Sequence, residues 1–293
     1  MKTYTKCPIC DGETFVDFIQ CKDNTGSNDT FNICKCSCCK FAFTNPIPLH
    51  SDIAKYYESK DYISHSNTSK GLVNFLYQGI RNYTLDRKVA LLQKLSDGKN
   101  LLDIGSGTGE FLSRTKKAKF IVTGIEPSKT GKDQTKDNFG LDVNDEHHLA
   151  NMEDGKFDFI TMWHVLEHVY DLNKRVAELK RLIKNDGHII IAVPNLTSFD
   201  AAKYKKHWAA YDLPRHLYHF SPNDISSLVE KHDMKVTQIL PMKFDSFYVS
   251  MLSEKYKTGS TNLFSSFIAG LRSNIHGISK QQCSSQIYII KNA

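Results

Sequence analysis

Lys99-Asn100-Leu101-Leu102-Asp103-Ile104-Gly105-Ser106-Gly107-Thr108-Gly109-Glu110-Phe111-Leu112 is the stretch whose reading decides the fold of this chain. A short apolar strand ends in an aspartate, turns through three glycines at alternate positions and enters an amphipathic segment. Strand, glycine turn and helix N-terminus together cradle a polar small molecule. The glycines permit torsions and close approaches that a Cβ would block. A dinucleotide fingerprint places two residues between its second and third glycines, whereas here there is one.

From Lys99 onward strands and helices alternate, which predicts a parallel sheet with helices on both faces. Leu101–Ile104 is the first strand, Phe120–Ile125 the second, Phe157–Met162 the fourth and His188–Val193 the fifth. Gly140–Val143 marks the third only weakly. Between strands four and five, Asp171 can cap a helix whose apolar face is Leu172, Val176, Leu179, Leu182 and Ile183. Val236–Leu240, Phe247–Leu252 and Gln286–Ile290 are expected as late antiparallel strands, with an inserted helix somewhere in 257–285. Glu126 falls at the tip of the second strand, where a carboxylate can accept from both hydroxyls of a ribose.

Cysteine placement is the second strong signal. Seven of the eight cysteines lie within the first 39 residues. Cys7-Pro8-Ile9-Cys10 and Cys36-Ser37-Cys38-Cys39 are two Cys-x-x-Cys pairs separated by 25 residues. Two such pairs close a tetrahedral shell around zinc and leave no position for water, which describes a structural site. Cys34 and Cys38 compete with Cys36 and Cys39 as ligands, and the x-x spacing favours the latter. Free thiols or a redox pair are the other readings of these residues. Thr14–Ile19 and Thr30–Ile33 read as hairpin strands between the pairs.

Net charge is +6 without a long basic block, which offers no nucleic-acid footprint. No apolar run reaches the ~18–20 residues that span a bilayer. The opening residues lack the apolar core of a signal peptide, so a cytoplasmic location is expected. Pro46 and Pro48 end the cysteine-bearing head. A short helix is expected from Ser51, and a pair of helices from Gly71 to Leu95. The polar stretch Tyr62–Asn67, with His65, is a candidate lid.

The glycine spacing, with Asp103 two residues before the first glycine, resembles motif I of the class I S-adenosylmethionine-dependent methyltransferases. Trp163-His164-Val165-Leu166-Glu167-His168-Val169 resembles the stretch that follows strand four in many small-molecule members, the match beginning at Asp158. Together the resemblance covers about 99 to 195. It implies an α/β fold with a Rossmann-like, seven-stranded sheet and S-adenosylmethionine as cofactor. It assigns cofactor contacts to Asp103, Gly105, Ser106, Gly107, Gly109 and Phe111, to Glu126 and Pro127, and to Trp163 and His164. The adenine is expected near Asp145–Leu149. Adjacent His147 and His148 read as solvated.

The head resembles the zinc ribbon that precedes some methyltransferase domains, including Phe41-Ala42-Phe43-Thr44-Asn45-Pro46-Ile47-Pro48. Those relatives often carry glycine where Lys40 stands and arginine where Ile47 stands. The implied division is a ribbon over 1–47, a helical connector or lid over 48–98 and a methyltransferase domain over 99–293.

Pro214-Arg215-His216-Leu217-Tyr218-His219-Phe220 lies in the densest aromatic and imidazole cluster of the chain, and the string recurs in relatives with this ribbon. Arg215 is a candidate for an anionic acceptor, and His216, His219 or His168 for a proton. A structural wedge, its imidazoles bonded to backbone, is the other reading. No Asp/Asn-Pro-Pro-Tyr/Phe motif follows strand four, which argues against methylation of amino groups on bases or glutamine. A small-molecule acceptor methylated on oxygen or carbon, such as a sugar, is the leading expectation. The rivals are RNA or protein methylation with the ribbon as docking module, and a scaffold that has lost catalysis. Nothing in the residues sets an oligomeric state.

Overall fold

The computed structural model describes residues 1–57, 72–260, 263–280 and 282–293. The candidate lid stretch Tyr62–Asn67 lies outside them. Two sheets organise the chain. The larger has strand order β5-β4-β6-β7-β10-β9, from Ile121–Ile125 (β5), Asn100–Ile104 (β4), Phe157–Trp163 (β6), Ile183–Pro194 (β7), Ser285–Asn292 (β10) and Met234–Pro241 (β9). β5, β4, β6 and β7 run parallel, while β10 pairs antiparallel with both β7 and β9. The strands of the middle are apolar because helices cover both faces: Leu101, Leu102, Phe159, Ile160 and Ile190 are all buried.

The sheet has six strands among the described residues, against the seven expected. The third expected strand is reduced to a single parallel bridge between Ile125 and Asn144. Glu126 N–H donates to Asn144 O at 2.9 Å and Asn144 N–H to Gly124 O at 2.9 Å. The segment around it, Gly140-Leu141-Asp142-Val143-Asn144-Asp145, carries too few apolar residues to extend the pairing.

Helices Leu72–Leu95 (α1), Glu110–Lys117 (α2), Lys129–Phe139 (α3) and Leu172–Leu182 (α4) follow in chain order. α1 is one helix and not the expected pair. In α4 the expected stripe is buried, and Asp171 caps it by accepting from Lys174 N–H at 3.0 Å. Phe199–Tyr204 (α5) and Pro222–Glu230 (α6) come next. Phe247–Leu252, expected as a strand, lies inside a helix, Asp245–Thr258 (α7), which packs on Leu263–Lys280 (α8). The reason is a helical stripe of small residues: Ser246, Ser250 and Ser253 are buried, and Ser246 Oγ donates to Gly270 O at 3.2 Å. A Cβ on Gly270 would stand 2.6 Å from the Phe247 ring, so glycine sets the closeness of the two helices. Among the described residues no helix is long and apolar enough to cross a membrane.

The smaller sheet has order β1-β2-β3-β8, from Phe15–Lys22 (β1), Thr30–Cys36 (β2), Ala42–Thr44 (β3) and Tyr218–His219 (β8). Its fourth strand therefore comes from the aromatic loop beyond the larger sheet. Ala42 pairs with His219 and Phe43 with Tyr218. Phe41 stacks on Tyr218 at 6.0 Å and packs against Phe220 at 5.5 Å. Cys7, Phe41, Phe43 and Ile47 share one apolar core with Leu102, Ile160 and Leu217. The head is bonded and packed into the rest of the chain.

Candidate active site

The chain runs from β4 outward to β5 and then back to β6 on the other side of β4. The crevice beyond the C-terminal ends of β4 and β6 is thus a topological switch point, where open α/β sheets take ligands. The glycine turn lines it. Gly105, Gly107 and Gly109 have φ of +73°, +56° and +83°. Gly105 N–H and Ser106 N–H both donate to Ile125 O, at 2.8 and 3.0 Å, which ties the turn to β5. A Cβ on Gly105 would lie 2.4 Å from Val165 Cγ2, while one on Gly107 would meet nothing within 4 Å.

Asp103 is buried and accepts from Thr161 Oγ1 at 2.6 Å. Burial pushes its carboxyl up to about 7, against the pull of Thr161 and of Lys88. Glu126 Oε2 accepts from Gly107 N–H at 2.7 Å and Oε1 from Ser128 N–H at 2.8 Å. Burial raises it, although both backbone donors and Lys132 oppose the shift. Pro127 follows at the rim. Phe111 meets the Trp163 ring edge-on at 5.5 Å.

Lys88 of α1 is a residue that the sequence reading missed. Its ammonium sits 4.0 Å from the Trp163 ring centroid, and burial lowers it to about 8 although Asp103 and Asp245 act the other way. Its signal was there: Lys88 falls between Leu85 and Leu92 on the apolar stripe.

Buried polar atoms without a hydrogen-bond partner gather at this end of the sheet. Ser106 Oγ, Trp163 Nε1, His164 Nε2 and both oxygens of Glu167 are among them. His164 also holds φ +56°, a strained torsion for a residue with a Cβ. An open face on Gly107, a carboxylate on backbone donors and orphaned donors beside an aromatic ring suit a ligand with hydroxyls, a flat ring and a charged end. S-adenosylmethionine has all three.

The proton candidates separate into two groups. His168 and His216 meet edge-to-face at 4.6 Å beside Glu167, and Leu217 N–H donates to Glu167 O at 2.8 Å. Burial and the neighbouring His216 push His168 down to about 4. Arg215 and His219 point the other way, into the smaller sheet. Arg215 is 1% exposed and its guanidinium donates to Asp23 Oδ1 at 3.1 Å, Asp212 Oδ1 at 2.6 Å and Tyr56 O at 2.8 Å. That placement gives it an internal, structural role in place of an anionic acceptor. His219 Nε2 lies 3.1 Å from Thr44 Oγ1, and burial holds its pKa well below the ordinary value. It is a strand residue of β8, not a proton carrier of the crevice. The cause is local: Arg215 sits in the 213–215 turn beside Asp212, while His219 lies in the short strand paired to Ala42.

The cysteine pairs converge. One sulfur from each of Cys7, Cys10, Cys36 and Cys39 lies within 4.8 Å of the others. Cys7 Sγ is 3.6 Å from Cys39 Sγ and Cys10 Sγ is 3.5 Å from Cys36 Sγ. Bonds of about 2.3 Å from zinc to four sulfurs in a tetrahedron set edges of about 3.8 Å, so the thiols fit that ion. Cys34 is buried in β2, and Cys38 is exposed beside Cys36 and Cys10; neither joins the four mutually close sulfurs. Each pair sits on a matching knuckle: Cys7 N–H donates to Gly12 O and Cys36 N–H to Phe41 O. Asp11 and Lys40 take φ of +60° and +67° there. Lys40 thus adopts the torsion that glycine favours, the residue common at this position in the ribbon relatives. His147 and His148 are exposed on a turn of 3-10 helix, Glu146–Asn151.

A family model described as a methyltransferase domain matches residues 77–239. Curated relatives include the ubiquinone biosynthesis O-methyltransferase of Haemophilus ducreyi, 34% identical over 114 residues, 34% of this chain and 47% of that protein. The protein of the same name from Rickettsia bellii is 21% identical over 75% of this chain and 96% of its own. The chain spans about half the length of several of the curated relatives it matches. Among solved structures, magnesium protoporphyrin IX methyltransferase from Synechocystis PCC 6803, with bound SAH, aligns with a TM-score of 0.54 at 15% identity, over 83% of this chain and 99% of that one. A SAM-dependent methyltransferase from Archaeoglobus fulgidus aligns at 0.50 and 17% identity, over 75% and 99%.

Proposed function

The chain belongs to the methyltransferase-domain family, and on that footing we propose that it methylates an oxygen of a small molecule, with S-adenosylmethionine as donor. The observation that carries this reading is the switch-point crevice, where three left-handed glycines face Glu126 across neighbouring strands. The names of the curated relatives support an oxygen acceptor over a carbon one. We read 1–47 as a zinc-ribbon module that lends β8 a partner, 48–98 as connector and 99–293 as the catalytic unit.

The bound donor supplies an electrophilic methyl group on a sulfonium. The chain's residues then align and shield. The glycine turn and Asp103 seat the donor's amino-acid end, with Phe111 and Trp163 as its apolar wall. Glu126 would hold the ribose hydroxyls, Pro127 would stiffen the rim, and His164 would line the crevice on the side of the acceptor. Holding two reactants in line and excluding water accounts for most of such a rate enhancement. Without a metal on them, His168 and His216 would be the groups to hold the acceptor's hydroxyl proton. The four cysteines of the ribbon hold zinc structurally and take no part in transfer.

Incubation with methyl-labelled donor and a panel of hydroxylated sugars and phenols tests the proposal. Label on an ether oxygen of a small acceptor supports it. Label found only on RNA or protein, with salt-dependent RNA retention, supports the docking rival instead.

A further inference from the structure

We infer that Glu167, His168 and His216 form a second metal site, one for a divalent ion of the zinc, manganese or iron(II) kind, with open positions for an oxygen of the acceptor. The site's use in catalysis rests on the methyltransferase reading above, whereas its existence does not. One ligand-capable atom from each of the three side chains lies within 4.8 Å of the others. Bonds of about 2.0–2.2 Å bring such atoms to about 3–4 Å apart, a closure within reach of side-chain torsions.

Glu167 is the strongest single observation. Its side chain is fully buried, and neither carboxylate oxygen receives a hydrogen bond. The nearest cationic candidate is His164, whose Nδ1 stands 3.4 Å from Oε1. A carboxylate so enclosed is costly unless a cation meets it.

The two imidazoles are hydrogen-bonded on one nitrogen, as metal-bound histidines are. His216 Nδ1 lies 2.9 Å from Ala210 O, and His168 Nδ1 lies 3.0 Å from Arg215 O. A carbonyl only accepts, so each Nδ1 carries the proton and donates. Tyr57 Oη, 3.0 Å from His168 Nδ1, shares that donor. Each Nε2 is left with a lone pair. Metal-bound histidines almost always have their other nitrogen fixed by a carbonyl or carboxylate in this way. Asp212 comes within 3.9 Å of His216 Nε2, but its oxygens accept from Arg215. The cluster therefore offers two imidazole lone pairs and one carboxylate in close proximity, with His164 Nδ1 as the donor beside Oε1. Two imidazoles with one carboxylate suit borderline divalent ions and leave coordination positions open. A hydroxyl oxygen of the acceptor is the chemistry that would fill one.

The test counts zinc. The full chain is stripped with a chelator, saturated with Zn2+, freed of excess and assayed for zinc per protein by mass spectrometry. Glu167→Gln and His168→Asn should each lose one equivalent relative to the parent, while Cys7→Ser should keep that equivalent and lose the ribbon's. X-ray absorption of the zinc-loaded parent should show nitrogen or oxygen ligands beside sulfur, a readout that needs no variant to fold. Equal zinc counts in the parent and both site variants, or a sulfur-only zinc shell, would overturn the site and leave a proton-sharing histidine cluster. Donor calorimetry on the same samples separates the two claims: donor binding without the extra equivalent sinks the metal site alone.

Discussion

Arg215 in the aromatic loop donates to Asp23 in the β1–β2 turn at 3.1 Å, and the two side chains are 1% and 0% exposed. Asp23 also accepts from Thr25 N–H at 3.1 Å and Ser27 N–H at 2.8 Å, so it organises its own turn while it holds the arginine. This buried pair spans 192 residues of sequence. Together with the β3–β8 pairing it fastens the cysteine-bearing head to the rest of the fold.

Removing one member of that pair leaves a buried charge alone. Arg215→Met should lower stability by on the order of 3–5 kcal/mol, read from the urea midpoint. Asp23→Asn combined with Arg215→Met should cost less than the sum of the single changes. High salt should leave the loss nearly unchanged, because the pair is out of reach of screening ions. A loss that salt abolishes would place the pair at the surface.

Gly105 and Gly107 should respond differently to alanine. Gly105→Ala brings its Cβ to 2.4 Å from Val165 and should cost about 1–3 kcal/mol from overpacking, with the torsional strain added. Gly107→Ala meets nothing and should cost roughly 1 kcal/mol from its left-handed torsion alone. Yet its methyl group enters the open face, so donor affinity should fall by about tenfold or more, near 1.4 kcal/mol. Thermal unfolding and calorimetry measure both. Unchanged affinity in Gly107→Ala would remove the open face from the binding site.

Asp103 gives a pH dependence with a defined sign. Its folded-state carboxyl titrates near 7, well above its ordinary value, chiefly through burial. Between about pH 4 and 7 the folded chain therefore holds a proton that the unfolded chain has released, and stability falls as pH rises. Asp103→Asn keeps an oxygen for Thr161 and should flatten that fall by a few kcal/mol across the window. Unfolding free energies of parent and variant at pH 4.5, 5.5 and 6.5 should diverge. Parallel curves would contradict the burial argument.

If the four thiols hold zinc as proposed, its loss should weaken the whole chain. Cys7→Ser opens a shell of four thiols in a sheet that shares β8 with the catalytic fold. One equivalent of zinc should be lost, and the main unfolding transition should move to lower temperature, since binding energy here is folding energy. A transition confined to the head, with the rest unmoved, would show that the shared strand carries little stability.

Much of this was legible in the residues. The glycine turn, β4, Glu126 at the strand tip and the apolar stripe of α4 follow from spacing and periodicity, which are local. The four convergent thiols also follow from spacing. Arg215 could not be read that way: its partner Asp23 is brought close only by the tertiary fold, and a guanidinium in a loop looks the same whether it meets a ligand or an aspartate. Nothing local separates His216 from His219: only the fold sets one against His168 and the other against Thr44 of β3. Phe247–Leu252 misled because its apolar residues suit a strand, while the serines at 246, 250 and 253 set the helical face. Glu167 belongs to the stretch after strand four, and nothing in its sequence neighbours announces a fully buried carboxylate.

On the proposed function, the crevice between β4 and β6 binds S-adenosylmethionine with Glu126 as an anchor. Calorimetric titration of the parent chain and of Glu126→Ala tests it directly. The parent should bind one equivalent of donor, and the variant should bind it about tenfold or more weakly, the loss of a charge-assisted hydrogen bond. No heat from the parent, or equal affinity in both proteins, would contradict it.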